Sequence, residues 1–344
     1  MSKNNYRLEE LEKLVSLAKR RGIIFPSSEI YGGLSSVWDY GPIGVEIKRN
    51  VKNLWWKSFV SERDDIFGID ASILMHPDVW KASGHLESFS DPLVECSLTG
   101  KRYREDHIFI LEIETKKENK IIAIEASDKN EAEKLVKEKI ISIIPLIESE
   151  SKENPSPDGG TLSDPRNFNL MFKTFIGPVE DSSSTVYLRP ETAQAMFVNF
   201  LNVLNSSRKK IPFGIAQQGK SFRNEITPGN FTFRTREFEQ MEMEFFCSPD
   251  DDEKWHDYWI QFSLDWFKKY GIREENLMIR KHESEELPHY SKASSDIDYL
   301  FPWSWGELET ISNRTDYDLK AHSELSGKDL SYFDQENNKR FTPY

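Results

Sequence analysis

Arginines and carboxylates recur at fixed offsets between residues 221 and 246, where the sequence predicts two strands joined by a mobile loop. The first strand ends in Phe222-Arg223-Asn224-Glu225, and the chain returns from the loop through residues 233–238, whose sequence is FRTREF. A guanidinium group can hold two phosphate oxygens at once, whereas carboxylates suit an ammonium group or Mg²⁺. The stretch therefore predicts a site that brings a nucleoside triphosphate and a cationic small molecule together.

Side chains on the returning strand, residues 238–246, should alternate between its two faces. One face would carry Gln240, Glu242 and Glu244, and the other would carry Met241, Met243 and Phe245. The methionine face predicts packing against helices, so the carboxylate face must be solvated, paired or part of a site. Two acids on one strand face more often mean a solvated surface, but the arginine on the neighbouring strand and Glu191 elsewhere favour a site.

The elements that would position this site follow from apolar periodicity and from breaker residues. Helices are predicted from Leu8 to Ala18, from Ile47 to Phe59, from Ala193 to Leu204 with Pro190 opening the helix, and from Trp255 to Tyr270. We interpret the aromatic residues of the last helix as core. Strands are predicted at Ile69–Leu74, closed by His76-Pro77, and at Phe213–Ile226 beside Phe238–Phe246 as an antiparallel pair.

Residues 112–158 differ in composition from the rest of the chain, because Lys, Glu and Ile dominate there. The pattern from Ser127 to Ile140 predicts a short charged helix, and 148–160 (ESESKENPSPDGG) predicts a loop or disordered linker. We interpret residues 112–158 as a surface insertion.

Charge and cysteine content limit the class of protein. The 344 residues carry a net charge of −13 and the pI is about 5.2, which argues against a protein that coats nucleic acid but leaves room for a local basic surface. The only cysteines, Cys96 and Cys247, form no CxxC pair, which predicts a reducing compartment, no disulfide and no metal at Cys96. Without an apolar run of membrane-spanning length or a signal-peptide pattern, we predict a cytoplasmic protein with no membrane partner.

Several short sequences resemble a known family. Phe222-Arg223-Asn224-Glu225, the loop and the returning arginine resemble the second signature motif of class II aminoacyl-tRNA synthetases. Five further stretches resemble glycyl-tRNA synthetase of the homodimeric type: YGG at 31–33, DYGP at 39–42, RPETAQ at 189–194, GEL at 306–308, and NRTDYDL at 313–319. They occur in the family's order and cover almost the whole chain.

The resemblance implies a fold, a reaction and partners. The fold would be α+β, a mostly antiparallel sheet flanked by helices, in a homodimer formed through the helix and strand before Pro77. Glycine would react with ATP, assisted by Mg²⁺, to give glycyl-adenylate, and the glycyl group would pass to the 3′ end of tRNA(Gly). No editing domain is needed, because a filled pocket wall rejects larger amino acids.

The resemblance also implies residue roles. Arg223 would be catalytic, holding the α-phosphate and the substrate carboxylate. ATP contacts would come from Arg223, Asn224, Glu225, Phe233, Arg234, Thr235, Arg236, Glu237, Phe238, Glu307 and Leu308. Glu307 would also bind a Mg²⁺ ion that bridges the phosphates of ATP. Glycine contacts would come from Arg104, Glu191, Phe238, Glu239, Gln240, Met241 and Glu242, supported by Arg314 and Asp316. Glu105 departs from the family, which usually has a small residue there.

The sequence also departs from the family at its end. It stops at Tyr344, where the third signature motif would start and an anticodon-binding domain would follow. We interpret residues 1–344 as a catalytic domain cut short and expect impaired adenylate formation. An alternative is a non-catalytic relative that serves as a dimeric accessory or regulatory subunit, although the retained arginines and glutamates favour an enzyme. Seryl, threonyl, prolyl and histidyl enzymes share the arginine motif, but residues 189–194 and 313–319 argue against them.

Overall fold

The structure is a computed structural model, and it describes residues 3–115, 118–126, 129–149, 154–226, 229, 231–288 and 290–344; the side chains of residues 3–10, 130 and 182 are not described. The chain divides into two compact units. The large unit comprises the residues up to Ser83, Lys173–Ser221 and Glu237–Tyr344, and the small unit comprises Gly84–Phe172 and Phe222–Arg236. Each unit is described by itself below.

The α-helices of the described residues are α1 Lys3–Arg20, α2 Pro42–Trp56, α3 Pro77–Ala82, α4 His85–Ser88, α5 Lys129–Leu135, α6 Ala193–Val198, α7 Phe200–Ser207, α8 Asp252–Lys269 and α9 Tyr317–Ser326. The strands are β1 Ile24–Pro26, β2 Trp38–Tyr40, β3 Ile66–Ile69, β4 Ser90–Glu95, β5 Arg102–Arg104, β6 Ile108–Glu114, β7 Asn119–Glu125, β8 Lys139–Pro145, β9 Arg166–Asn169, β10 Lys173–Phe175, β11 Thr185–Tyr187, β12 Phe213–Phe222, β13 Glu237–Phe246, β14 Leu277–Lys281, β15 Ala293–Leu300, β16 Trp305–Asn313, β17 Tyr332–Asp334 and β18 Lys339–Phe341. Among these residues no helix is long and apolar enough to cross a membrane.

Strand β13 separates two hydrophobic clusters in the large unit, where the strand order is β13-β12-β3. Its odd-numbered apolar residues, Met241, Met243 and Phe245, pack with Trp55 of α2 and Trp259 of α8. Phe246, on the other face, packs in a cluster with residues of α6, α7 and α9: Ala193, Met196, Phe197, Phe200, Val203 and Leu319. The predicted alternation along β13 and the aromatic core of α8 are therefore confirmed.

A second sheet in the large unit has the order β14-β15-β16, and all of its pairs are antiparallel. Ile297 at its centre is fully buried, and α8 packs against β15 and β16. Mixed helices and mainly antiparallel pairs give the α+β class that the sequence predicted.

Several predicted element boundaries were wrong. The strand expected at Ile69–Leu74 is β3, Ile66–Ile69, because it is residues 66–69 that pair in parallel with β12. The helix expected to open at Pro190 begins at Ala193, and both the backbone N–H and the hydroxyl of Thr192 bind Glu242 instead of capping a longer helix. The strand expected to reach Ile226 ends at Phe222. A break at Asn199, which donates to the carbonyl of Ala195, divides the helix into α6 and α7.

The small unit contains two three-stranded antiparallel sheets, β7-β6-β8 and β5-β4-β9. The predicted insertion boundary at residue 112 falls inside β6, and Ala132 of α5 packs with Phe109 and Leu111 of that strand. The described residues between 112 and 158 therefore share a core with the residues just before them. The charged helix predicted from Ser127 is α5, and residues 127 and 128 lie outside the described residues.

The described part of the predicted linker is an ordered turn. Pro155 pairs with Thr161, and the Cys96 thiol donates to the carbonyl of Gly159 at 3.1 Å. Residues 150–153 lie outside the described residues. Cys96 and Cys247 are both buried and unbonded to each other.

Candidate functional site

Four carboxyl groups and one arginine interact electrostatically in the large unit, and we call them the carboxylate cluster: Glu191, Glu242, Glu244, Asp318 and Arg314. Strand β13 places Glu242 and Glu244 on the same face, since they stand two residues apart. The Glu242 carboxylate accepts hydrogen bonds from Thr192, through its N–H at 3.0 Å and its hydroxyl, and from Gln240 Nε2 at 3.0 Å. Glu242 is thus held by the residue that precedes α6.

Arg314 is the cation of the carboxylate cluster. Its Nε and Nη2 donate to the two oxygens of Asp318 at 2.7 and 3.0 Å, and its guanidinium carbon lies 4.0 Å from the centre of the Tyr290 ring. Burial opposes its charge, yet the hydrogen bonds with Asp318 and the carboxylates of Glu244 and Glu191 raise the pKa of Arg314 above its ordinary value. Asp318 is only 3% exposed, so this is a buried pair that needs its full set of hydrogen bonds.

Carboxyl groups outnumber cations in this cluster. Burial raises the pKa of Glu244 to about 8; Arg314 opposes that shift, and the neighbouring Glu242, Asp318 and Glu191 add to it. Glu244 therefore holds its proton at neutral pH. Four carboxyl groups thus share one guanidinium, and a cationic ligand would relieve the imbalance.

Two residues predicted to contact glycine lie on the other face of β13. The carboxylate of Glu239 pairs with Lys48 at 3.0 Å and with Lys52 at 3.3 Å, both on α2. Met241 packs with the aromatic residues of α2 and α8. Strand alternation is the physical reason: an odd-numbered side chain cannot share a face with Gln240 and Glu242. The structure therefore does not bring Glu239 and Met241 together with the carboxylate cluster.

The partner of Arg314 is Asp318, a residue to which the sequence analysis assigned no role. Asp316, which was predicted to support the pocket, pairs with Lys320 at 2.7 Å. It lines an open cavity of about 370 Å³ together with Tyr290, Lys292 and Tyr317. The i,i+4 spacing of Arg314 and Asp318 is a signal that could have identified the pair. Thr192, Gln194 and His322 were also missed as partners of the cluster.

The remaining predicted ATP residues of the large unit lie on two strands. Glu237 and Phe238 begin β13, and Glu237 pairs with Lys220 of β12. Glu307 and Leu308 lie on β16, where Glu307 is opposite Asp298 and is exposed.

Three arginines of the small unit gather at Glu225, and we call them the arginine cluster: Arg223, Arg234 and Arg236. Arg223 N–H donates to the carbonyl of Arg236 at 2.9 Å, which joins the two sides of the loop. Arg236 Nη2 donates to the backbone carbonyl of Glu225 at 3.0 Å, and Arg234 Nε lies 3.8 Å from its carboxylate. Glu225 is 7% exposed. The guanidinium carbon of Arg223 lies 5.5 Å from the centre of the Phe89 ring.

The other predicted residues of the small unit lie beside this cluster or in the loop. Asn224 N–H donates to the carbonyl of Leu170 at 2.8 Å, and Phe233 is 44% exposed. Thr235 lies between two of the arginines in sequence. Residues 227, 228 and 230 of the loop lie outside the described residues.

Arg104 forms ion pairs within the small unit. Its guanidinium contacts Asp106 at 2.6 Å and Asp91 at 3.0 Å. Hydrogen bonds with Asp106 raise the pKa of Arg104; burial opposes the shift, and the charges of Asp91 and Glu225 add to it. The field of Glu225 thus reaches Arg104 as well as the arginine cluster.

Both the sequence and the fold of this chain match those of known proteins. The family model "tRNA synthetase class II core domain (G, H, P, S and T)" matches residues 174–344. Glycine–tRNA ligase of Lachnoclostridium phytofermentans is 54% identical over 336 residues, which is 97% of this chain and 70% of that protein. The glycine–tRNA ligases of Caldanaerobacter subterraneus subsp. tengcongensis and Clostridium kluyveri are 52% and 54% identical, with the same shares covered.

A solved structure supports the fold alone. Giardia lamblia prolyl-tRNA synthetase in complex with prolyl-adenylate aligns with a TM-score of 0.61 at 12% identity, over 99% of this chain and 50% of that one. The predicted class II architecture is therefore confirmed.

Proposed function

This chain belongs to the glycine–tRNA ligase family, and we propose that it activates glycine with ATP and transfers the glycyl group to tRNA(Gly). The observation that carries the proposal is the set of four carboxyl groups, one of them the buried Asp318, that share the single guanidinium of Arg314. Glycine offers a protein only its ammonium and carboxylate groups, so recognition has to come from charge. Glu191 and Glu242 would hold the ammonium group, with Gln240 and Thr192 fixing Glu242.

The arginine cluster suits the phosphates of ATP, because each guanidinium can grip two oxygens. We assign Arg223 to the α-phosphate, where charge develops as the glycine carboxylate attacks. Arg234 and Arg236 would hold the β- and γ-phosphates, and Glu225 would orient the adenine amino group. Asn224, Phe233, Thr235, Glu237, Phe238 and Leu308 remain candidate ATP contacts. Arg104 remains a candidate for the substrate, and its pairs with Asp91 and Asp106 would keep its guanidinium in place.

The described side chains fit a Mg²⁺ ion only when it is bound together with ATP. Among the described residues no group of three or more His, Cys, Asp or Glu could hold a metal ion. Mg²⁺ is commonly bound by phosphates, waters and one or two carboxylates, and the exposed Glu307 could supply one carboxylate. The ion would neutralise phosphate charge as pyrophosphate leaves.

The reaction would proceed in two steps. A glycine carboxylate oxygen attacks the α-phosphorus of ATP, the bond to the bridging oxygen breaks, and pyrophosphate leaves with the electron pair. The terminal ribose hydroxyl of tRNA then attacks the carbonyl of glycyl-adenylate and AMP leaves. Positioning and charge stabilisation supply most of the catalysis in such transfers.

We also propose a homodimer formed through α2 and β3. Helix α2 exposes the apolar side chains of Ile43, Val45, Ile47 and Val51.

Amino-acid-dependent ATP–pyrophosphate exchange tests this function. Glycine should support exchange, whereas alanine and serine should not. Arg223→Ala should reduce exchange by about a hundredfold, since it removes stabilisation of charge that develops in the transition state. Arg166→Ala is the matched control, because Arg166 is an exposed arginine of the small unit that pairs with Glu95 at 3.2 Å.

Two results would contradict the proposal. Exchange that is equally fast with alanine would refute glycine specificity, and full exchange in Arg223→Ala would refute the role of Arg223. A non-catalytic accessory role is not favoured, because the relatives at 52–54% identity are glycine–tRNA ligases.

A further inference from the structure

A buried amide connects the two charged sides of the carboxylate cluster. Gln194, on α6, is fully buried. Its Nε2 donates to Glu191 Oε1 at 3.0 Å and to Asp318 Oδ1 at 3.1 Å. Because Asp318 also accepts both hydrogen bonds from Arg314, the Gln194 amide links Glu191 to the arginine of the cluster.

The orientation of this amide is determined by its third partner. Gln194 Oε1 accepts a hydrogen bond from His322 Nε2 at 2.8 Å. An amide turned end for end would present its carbonyl oxygen to two carboxylates, so the donors must face Glu191 and Asp318. His322 must then carry a proton on Nε2.

His322 is well placed to hold this orientation. It lies on α9 four residues after Asp318, so both side chains share one face of the helix. His322 is 6% exposed. Burial lowers the pKa of His322, although the charge of Asp318 acts in the opposite direction. The neutral ring with its proton on Nε2 is therefore compatible with the contact at neutral pH.

We propose that His322 is a positioning residue for glycine binding, because its Nε2–H fixes the Gln194 amide and that amide orients the carboxylate of Glu191 toward the substrate ammonium group. The inference rests on the proposed function, since it treats Glu191 as a ligand of glycine. Neither Gln194 nor His322 touches the substrate. Without the Nε2–H, the amide can rotate, and the Glu191 carboxylate loses the hydrogen bond from Gln194 that orients it.

The effect should fall on glycine rather than on ATP. All four side chains of the network, those of Glu191, Gln194, Asp318 and His322, belong to the large unit, whereas the arginine cluster belongs to the small unit. A general loss of structure would instead weaken the binding of glycine and of ATP together.

Two substitutions of similar polarity separate positioning from stability. In His322→Gln the side-chain amide nitrogen can occupy the position of Nε2, whereas in His322→Asn it falls one carbon short. His322→Asn should raise the Kd and KM for glycine about tenfold, the effect of losing one buried hydrogen bond. His322→Gln should stay within about twofold of the unsubstituted protein. The KM for ATP and kcat should change little in either variant.

The control and a second variant complete the test. His256→Asn removes a histidine of α8 whose Nε2 lies 3.0 Å from the carbonyl of Ile311, and it should leave glycine binding unchanged. Gln194→Glu keeps the acceptor for His322 but turns an oxygen toward Glu191 and Asp318. We expect it to weaken glycine binding more than His322→Asn does.

The outcomes are distinct. Calorimetric titration with glycine that gives the same Kd for folded His322→Asn, or for folded Gln194→Glu, as for the unsubstituted protein would overturn the inference alone. Equal weakening of glycine and ATP binding in His322→Asn would also overturn it, as would failure of His322→Gln to restore glycine binding. An unsubstituted protein that does not bind glycine would overturn the proposed function and this inference together.

Discussion

The two charged clusters are built differently. The carboxylate cluster takes its side chains from β13 and α9 and from the residues just before α6 and α9, and its Asp318 is 3% exposed. The arginine cluster lies between β12 and β13, where described residues 223–226 and 231–236 form no helix or strand. The side chains of Arg234 and Arg236 contact Glu225, and Arg223 joins Arg236 through the backbone. Under the proposed function, the chain carries the amino-acid side of its chemistry on regular elements and the residues next to them, and the phosphate side on a loop.

The largest difference should appear when one arginine is removed from each cluster. Arg314→Ala would leave Asp318 buried without its cation, which costs about 3–5 kcal/mol in free energy of unfolding. Arg234→Ala removes a half-exposed side chain at 3.8 Å from Glu225, and should cost less than about 1 kcal/mol. Chemical denaturation measures both changes. Similar costs for the two variants would show that the clusters are equally integrated into their units.

A second difference should appear in the pH dependence of stability. The folded-state pKa of Glu244 is raised to about 8 from an ordinary value of 4.5, so the folded protein binds more protons than the unfolded chain between these values. Its contribution to the free energy of unfolding should therefore fall as pH rises from about 4.5 to 8 and stay level above that. The charges facing it are those of Arg314, Glu242, Asp318 and Glu191.

Glu244→Gln should flatten this part of the stability profile, measured by denaturation at several pH values. Glu336→Gln, which changes an exposed glutamate paired with Lys210, is the control and should leave the slope unchanged. A wild-type slope in Glu244→Gln would contradict the assignment of a buried, protonated carboxyl to the carboxylate cluster.

The smallest expected effect concerns the face of β13 that carries Glu239 and Met241. Glu239→Gln should leave the glycine Kd unchanged and reduce stability by at most about 1 kcal/mol, because its pairs with Lys48 and Lys52 are partly exposed. Glu242→Gln should weaken glycine binding by tenfold or more, since it weakens a charged contact. Calorimetric titration compares the two. Weakening of glycine binding by Glu239→Gln would show that the face of the strand does not decide which acid contacts the substrate.

Local pattern predicted the parts of the site that depend on local geometry. Alternation placed Gln240, Glu242 and Glu244 on one face of β13, and helical periodicity placed the aromatic residues of α8 in the core. Pairings between distant residues could not be predicted in this way. Thr192 binds Glu242 across fifty residues of sequence, and this contact rather than Pro190 marks where α6 begins.

The choice between Asp316 and Asp318 shows the same limit on a shorter scale. Both acids follow Arg314 within one helical turn, and only the start of α9 at Tyr317 decides which of them faces the arginine. Helix ends are the least certain part of a sequence-based prediction. Glu239 and Met241 were assigned by resemblance to neighbouring sequence, which ignores the period of two along a strand.

The two faces of β13 also limit how this region can evolve. Substitutions can change one side chain at a time, but an insertion or deletion of a single residue within the strand would shift every later side chain to the opposite face. Carboxylates would then enter the layer between Trp55 and Trp259, and methionines would replace them beside Arg314. Functional proteins that descend from this one should therefore have no insertions or deletions within β13. Any insertion or deletion that they keep in this region should fall in the loop before Glu237.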